Sequence, residues 1–341
     1  MKLATPRWWY QRGARAPSIS RMLLTPAAWT WAAVTARRIA RTVPEDAGVP
    51  VICVGNVTMG GAGKTPVARE LLRLLNARGI AAHGLSRGHG GSLRGPVRVD
   101  LAQHTAAEVG DEPLLLAKDA PVWVSRDRLA GARAAAASGA RAIVMDDGFQ
   151  NPQVRKALSL VVVDAETRED EWPFGDGGVF PTGPMREPLA RGLARADAVV
   201  LLMPVDLAEP DLALTGLFTG KPVLIARLEP AAAPPAGPQF GFAGVGKPWK
   251  VERALAAAGC DLVDFAPMPD HRAYDERTLA ALARRAARLD AGLVTTEKDW
   301  VRLPPAWRAR IAAWPVRARF EDEAALIELL KPVVGLSGGR R

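Results

Sequence analysis

Short apolar, β-favouring runs alternate with longer segments whose apolar residues recur every three or four positions, and this alternation extends over most of the chain. The first run is Val51-Ile52-Cys53-Val54. Further candidate strands fall at 80–86, 121–125, 141–146, 158–163, 197–203 and 222–226, with helical periodicity near 66–78, 105–118, 127–138 and 187–195. Strands that are apolar throughout, separated by helices, predict an α/β fold: a mostly parallel sheet with helices on both faces. Residues 229–238, EPAAAPPAGP, read as a linker. A smaller α/β set follows, with strands near 239–243, 261–265, 291–296 and 313–318 and helices near 248–258 and 275–289. A last amphipathic helix near 322–332 is expected to pack back on the first domain. The expected division is therefore 1–43, 44–228, 229–238 and 239–341.

Composition changes this picture in one place. The 341 residues are 48% hydrophobic and 24% charged, ordinary for a globular chain long enough for one large or two moderate domains. Cys53 and Cys260 have no CxxC or histidine spacing and read as small core residues in a reducing compartment. The net charge of +9 is concentrated at the N-terminus, where residues 1–44 carry eight basic residues and no acidic one. The rest is nearly neutral, which argues against a nucleic-acid binder. The arm also carries Trp8, Trp9, Trp29 and Trp31. Its uncharged stretch 22–36 contains Pro26 and is too short to span a bilayer. Arginines around a Trp-bearing apolar segment suit a helix lying in a membrane interface, with packing on the protein's own core as the alternative. The long charged region ahead of the apolar stretch argues against a cleaved signal peptide.

The chemistry gathers around the first strand. Val51–Val54 leads through a glycine-rich loop into Lys64, Thr65 and a helical pattern ending at Gly79. Strand, glycine turn and helix N-terminus make an anion site in which backbone N–H groups approach phosphate oxygens and Lys64 adds a full charge. Thr58, Met59, Gly60, Gly61, Ala62, Gly63, Lys64 and Thr65 are the expected nucleotide-binding residues, with the Thr65 hydroxyl placed for magnesium. The usual pattern G-x-x-x-x-G-K-[ST] would put its first glycine at Thr58. Asp146 and Asp147 end a buried strand where doubly wound sheets place their ligands, so they either hold magnesium or cap the next element. Asp111 and Glu112 open a helical pattern, which fits an N-cap and a general base equally. His271 follows a strand-like run beside Asp270. His83, His89 and His104 read as surface or loop residues. Thr295-Thr296-Glu297-Lys298-Asp299 lacks the spacing of a guanine-reading N/T-K-x-D pattern.

GNVTMGGAGKTP at 55–66, SRGHGG at 86–91, VGDEP at 109–113, DDGFQ at 146–150, GPMREP at 183–188, PDHRAY at 269–274 and TTEKD at 295–299 together resemble the tetraacyldisaccharide 4'-kinase family, including Thr58 in the variant phosphate loop. The resemblance implies a P-loop enzyme on the cytosolic face of the inner membrane. It would move the ATP γ-phosphate to the 4'-hydroxyl of an acylated glucosamine disaccharide, in a cleft between two α/β/α domains. It implies ATP and Mg2+ as cofactors, and no obligate protein partner is evident in the sequence. It assigns Asp111 as base, assisted by His271, and Thr65, Glu112, Asp146 and Asp147 to magnesium, with Arg186 on the phosphate side. Asn151 stands where the family often has histidine. The competing reading is a P-loop ATPase or GTPase acting as an assembly or metal-insertion factor.

Overall fold

The structure, a computed structural model, describes residues 7–11, 18–168, 170–270 and 272–335. In chain order the first half runs α1 (Ser18–Arg41), β1 (Val51–Gly55), α2 (Lys64–Ala77), β2 (Ala82–Ser86), β3 (Val97–Arg98), α3 (Ala106–Val109), α4 (Asp111–Leu116), β4 (Val122–Val124), α5 (Arg128–Ala137) and β5 (Ala142–Asp146). It continues through β6 (Leu158–Asp164), α6 (Leu189–Ala194), β7 (Ala198–Pro204), α7 (Leu212–Thr215) and β8 (Val223–Pro230). Then come β9 (Gln239–Ala243), α8 (Pro248–Ala257), β10 (Leu262–Pro267), α9 (Glu276–Arg288), β11 (Gly292–Thr296), α10 (Glu297–Trp300), α11 (Pro305–Arg308), β12 (Ala312–Trp314), β13 (Val316–Phe320) and α12 (Glu323–Val334).

Among the described residues the strands form a nine-stranded sheet, in the order β13-β8-β7-β6-β1-β5-β2-β4-β3, and a four-stranded sheet, β10-β9-β11-β12. The large sheet is parallel except at its edges, where β13 runs against β8 and β3 against β4. β1 lies between β5 and β6, both parallel to it, so the loop that follows it leaves from the middle of the sheet. Successive side chains of a strand point to opposite faces, and the core divides accordingly. Ile52, Val54, Val144, Leu160, Val162 and Val200 face α2 and α12 on one side, where Leu71, Leu72, Leu75, Leu326 and Leu330 are buried. Val51, Cys53, Ile143, Met145, Val161, Val163 and Val199 face the other side, in one core with Ala132 and Ala135 of α5 and with Leu214 and Phe218. The small sheet has its own core, Phe240 and Phe242 against Leu279, Leu282 and Ala286 of α9.

Three expected elements come out differently. The helix near 105–118 is two, because Gly110 sits at φ 90° and ends α3 before α4 begins. The strand near 313–318 is also two: Pro315 separates β12 of the small sheet from β13 of the large one. β8 runs to Pro230 and takes in the start of the proline-rich stretch. His83, expected at the surface, lies buried in β2, and burial together with Arg98 lowers its pKa.

α1 is longer than its apolar centre and carries Pro26 inside it. One side meets the rest of the chain: Trp31 packs on Phe180 with ring centroids 5.0 Å apart and donates its indole N–H to the Arg186 carbonyl at 3.0 Å. Met22, Leu23, Trp29 and Val34 are exposed. No helix among the described residues is long and apolar enough to cross a membrane.

Candidate active site

Residues 56–63 connect β1 to α2, and only Gly60 and Gly63 there take positive φ, 84° and 77°. Thr58 does not need the freedom of a glycine. It forms an antiparallel bridge with Met185, and Met59 donates its N–H to the Pro184 carbonyl at 2.6 Å. Loop 178–187 thus braces the outer flank of the phosphate loop. Arg186 completes the brace: Nε donates to the Thr58 carbonyl at 2.9 Å, and Nη1 pairs with Asp147 Oδ1 at 2.8 Å. Tyr10, from the N-terminal arm, donates its hydroxyl to the Met59 carbonyl.

Lys64 and Thr65 open α2 and are buried. Thr65 Oγ1 donates to Asp146 Oδ2 at 2.9 Å, and Lys64 Nζ lies 3.5 Å from Asp147 Oδ1. The two neighbouring carboxylates are tuned in opposite directions. Burial, then the Glu112 charge, raises the Asp146 carboxyl to about 7, and its Oδ1 has no partner among the described residues. Burial also acts on Asp147, but Lys64 and Arg186 outweigh it and hold that carboxyl well below the usual range. Asp147 sits at φ 53°, which swings it out of strand register and towards those two cations.

Asp111 and Glu112 form the first turn of α4. Asp111 is 4% exposed, accepts the Glu112 N–H at 2.9 Å and lies 3.0 Å from Arg302 Nε. Glu112 faces Lys298 at 3.4 Å. Arg302 and Lys298 come from the small-sheet lobe, so these contacts cross between lobes. That lobe also reaches the phosphate loop: a Cβ built on Gly246 would stand 3.4 Å from the Gly61 nitrogen and 3.7 Å from Asp270 Oδ2. His271 lies outside the described residues.

Thr58–Thr65, Arg186, Asp146 and Asp147 thus gather at the C-terminal ends of β1 and β5, with the charge of Glu112 felt at Asp146 and Asp111 beside Glu112 at the start of α4. Asn151 serves its own turn, its Oδ1 accepting the Gln153 N–H at 3.0 Å. Sequence reasoning missed Arg302, and also Arg128, whose side chain is buried near Asp147 with its pKa lowered by that burial to about 10. Neither stands in a short motif with a mechanism of its own.

The arrangement fits a magnesium nucleotide. Among the described residues no three His, Cys, Asp or Glu side chains are grouped to cage a metal. Magnesium does not need such a cage, since it is usually held by one or two carboxylates, waters and substrate phosphates. A buried carboxylate with one oxygen on Thr65 and the other without a partner among the described residues is such a donor, beside a loop that presents backbone N–H groups to phosphate.

Comparison with known proteins points the same way. The profile of the tetraacyldisaccharide-1-P 4'-kinase family matches residues 20–335. A tetraacyldisaccharide 4'-kinase from Phenylobacterium zucineum is 71% identical over 326 residues, covering 96% of this chain and 98% of the relative. One from Rhodospirillum centenum is 52% identical over 337 residues, with 97% of each chain covered. The crystal structure of LpxK from Aquifex aeolicus in complex with ATP superposes with a TM-score of 0.71 at 25% identity, covering 92% of this chain and 99% of that one.

Proposed function

Since the chain belongs to the tetraacyldisaccharide-1-P 4'-kinase family, we propose that it moves the γ-phosphate of ATP to the 4'-hydroxyl of a tetraacylated glucosamine disaccharide 1-phosphate, a step of lipid A biosynthesis. The single observation that carries the site assignment is the buried Asp146, tied to Thr65 of the phosphate loop, with its second oxygen unpartnered among the described residues. An assembly ATPase would share the loop, and the family match does not favour that reading.

In this reading Thr58–Thr65 hold the triphosphate, chiefly through backbone N–H groups and Lys64. Thr65, Asp146, Asp147 and Glu112 would hold Mg2+, which supplies neutralising charge on the phosphate oxygens. Asp146 is the better direct donor, because Asp147 is engaged by Arg186 and Lys64. Arg186 locks the outer flank of the loop and stands ready on the phosphate side. Asp111 accepts the proton of the 4'-hydroxyl as that oxygen bonds to the γ-phosphorus and the bond to the ADP oxygen breaks. His271, assigned by resemblance, assists Asp111. Such enzymes work mainly by positioning and electrostatics. The basic, Trp-bearing arm keeps the enzyme on the cytosolic face of the inner membrane, where an acylated substrate resides; the exposed Met22, Leu23, Trp29 and Val34 of α1 support that placement.

The test is transfer of labelled phosphate from ATP to the lipid disaccharide. Asp111→Asn should lower kcat by roughly 10²–10⁴-fold, the worth of a positioned base, while nucleotide still binds. An Asn variant that transfers phosphate at the original rate removes Asp111 from that role.

A further inference from the structure

The segment Thr295–Asp299 lacks the spacing of a guanine-reading motif, and two of its charges, Glu297 and Lys298, reach the other lobe. Glu297 of α10 takes Arg69 of α2 at 2.7 Å and Lys118, just beyond α4, at 2.7 Å. Lys298 faces Glu112, and Arg302, one turn on, faces Asp111. The Arg302 side chain is only 7% exposed and is held from its own side: Nη2 donates to the Gly244 carbonyl at 3.1 Å, Nη1 to the Arg272 carbonyl at 3.4 Å, and Nε to the Lys298 carbonyl at 3.0 Å. Because the Nε hydrogen goes to Lys298, the 3.0 Å approach to Asp111 is an oblique ion pair. Behind Arg302, at 3.5 Å, stands Asp299, which is fully buried. Its Oδ1 accepts from the Gly244 N–H at 3.0 Å and the Tyr274 hydroxyl at 2.6 Å, and its Oδ2 accepts from the Thr296 hydroxyl at 2.6 Å.

We propose that Arg302 is a positioning residue for phosphoryl transfer. Clamped by Asp299 and three carbonyls of the small-sheet lobe, its guanidinium fixes the Asp111 carboxylate where the two lobes meet. The orientation of the base then depends on the register between the lobes. A planar fork with five donors fills these directions at once, and a lysine ammonium on a flexible stem does not. Glu297 and Lys298 fasten the same register on either side. The inference rests on the reading of Asp111 as base.

The experiment uses the full chain with Arg302→Lys and Arg302→Ala, and Asp111→Asn in parallel. It records kcat, KM for ATP, thermal midpoint and the response to millimolar ethylguanidinium. Misplacing a reacting group by about 1 Å costs up to roughly 10²-fold, so both Arg302 variants should lose about 10–10²-fold in kcat with KM for ATP little changed. Ethylguanidinium should restore a saturable part of kcat to Arg302→Ala and none to Asp111→Asn. Unchanged kcat in both Arg302 variants, with Asp111→Asn inactive, overturns the inference and leaves the base reading standing. So does a loss in kcat that follows the thermal midpoint and KM together, without rescue. An active Asp111→Asn overturns both.

Discussion

Gly63 is the place where the phosphate grip and the packing of the large sheet meet, and replacing it with alanine tests both. It is the N-terminal cap of α2 at φ 77°, ψ 26°, and a Cβ there would stand 2.0 Å from Leu202 Cδ2 of β7. Holding an L-residue in the left-handed region costs about 1–2 kcal/mol. Forcing a methyl into a filled space costs about 1–3 kcal/mol more. Gly63→Ala should therefore destabilise by about 2–5 kcal/mol, or relieve part of that strain by shifting the loop, losing about tenfold in nucleotide affinity per 1.4 kcal/mol so spent. Chemical denaturation and titration with a fluorescent ATP analogue separate the two shares. Gly61 provides the control two residues away, because a Cβ built there meets nothing within 4 Å among the described residues. Gly61→Ala should stay within about 0.5 kcal/mol of the parent in stability. Adding Leu202→Ala to Gly63→Ala removes the clash but not the backbone strain, so the pair should couple favourably by about 0.5–3 kcal/mol. A Gly63→Ala protein with unchanged stability and unchanged nucleotide affinity would refute both the left-handed cap and the Leu202 contact.

Two further outcomes follow from burial and exposure. Cys53 is fully buried and its thiol is pushed up to about 12, chiefly by that burial. Thiolate is the reactive form, so Cys53 should resist alkylation at pH 8 in the folded protein and react once urea unfolds it, as peptide mass analysis will show. Trp29 is 72% exposed on α1, whereas Trp31 is anchored on Phe180. Trp29→Ser should weaken sedimentation with anionic vesicles by roughly 10–10²-fold, because burying one such side chain is worth about 1.5–3 kcal/mol, and should leave the thermal midpoint unmoved because Trp29 is exposed in the folded protein.

What the sequence made legible was local. The buried runs at β1, β5, β6 and β7 are apolar in both parities, and that pattern alone points to a covered parallel sheet. The phosphate loop and the paired Asp146 and Asp147 announce themselves by glycines, lysine and carboxylates placed after such strands. What remained hidden was pairing over long distances in sequence. Nothing near Asp111 signals Arg302, which lies 191 positions away, and nothing in Val316–Phe320 says that it abandons the small sheet for β8. Thr58 shows the intermediate case: its departure from the usual glycine is visible in sequence, but the reason, an extended bridge to Met185, exists only in the folded loop.

The return of β13 to the large sheet makes the small lobe an insertion rather than an appendage. Val316 lies opposite Pro230 in the antiparallel pair, and Ala231 donates its N–H to the Pro315 carbonyl at 2.8 Å, so the outgoing and homecoming chains run side by side. Cutting after residue 238 would strip the nucleotide half of an edge strand and of α12, whose Leu326 and Leu330 share a core with Leu71, Leu72 and Leu75. Excising 231–315 instead and joining Pro230 to Val316 through a tight hairpin keeps both. For anyone wishing to study nucleotide binding in a minimal protein, the scissors belong at those two neighbouring points, not at the proline-rich stretch that looks like a natural break.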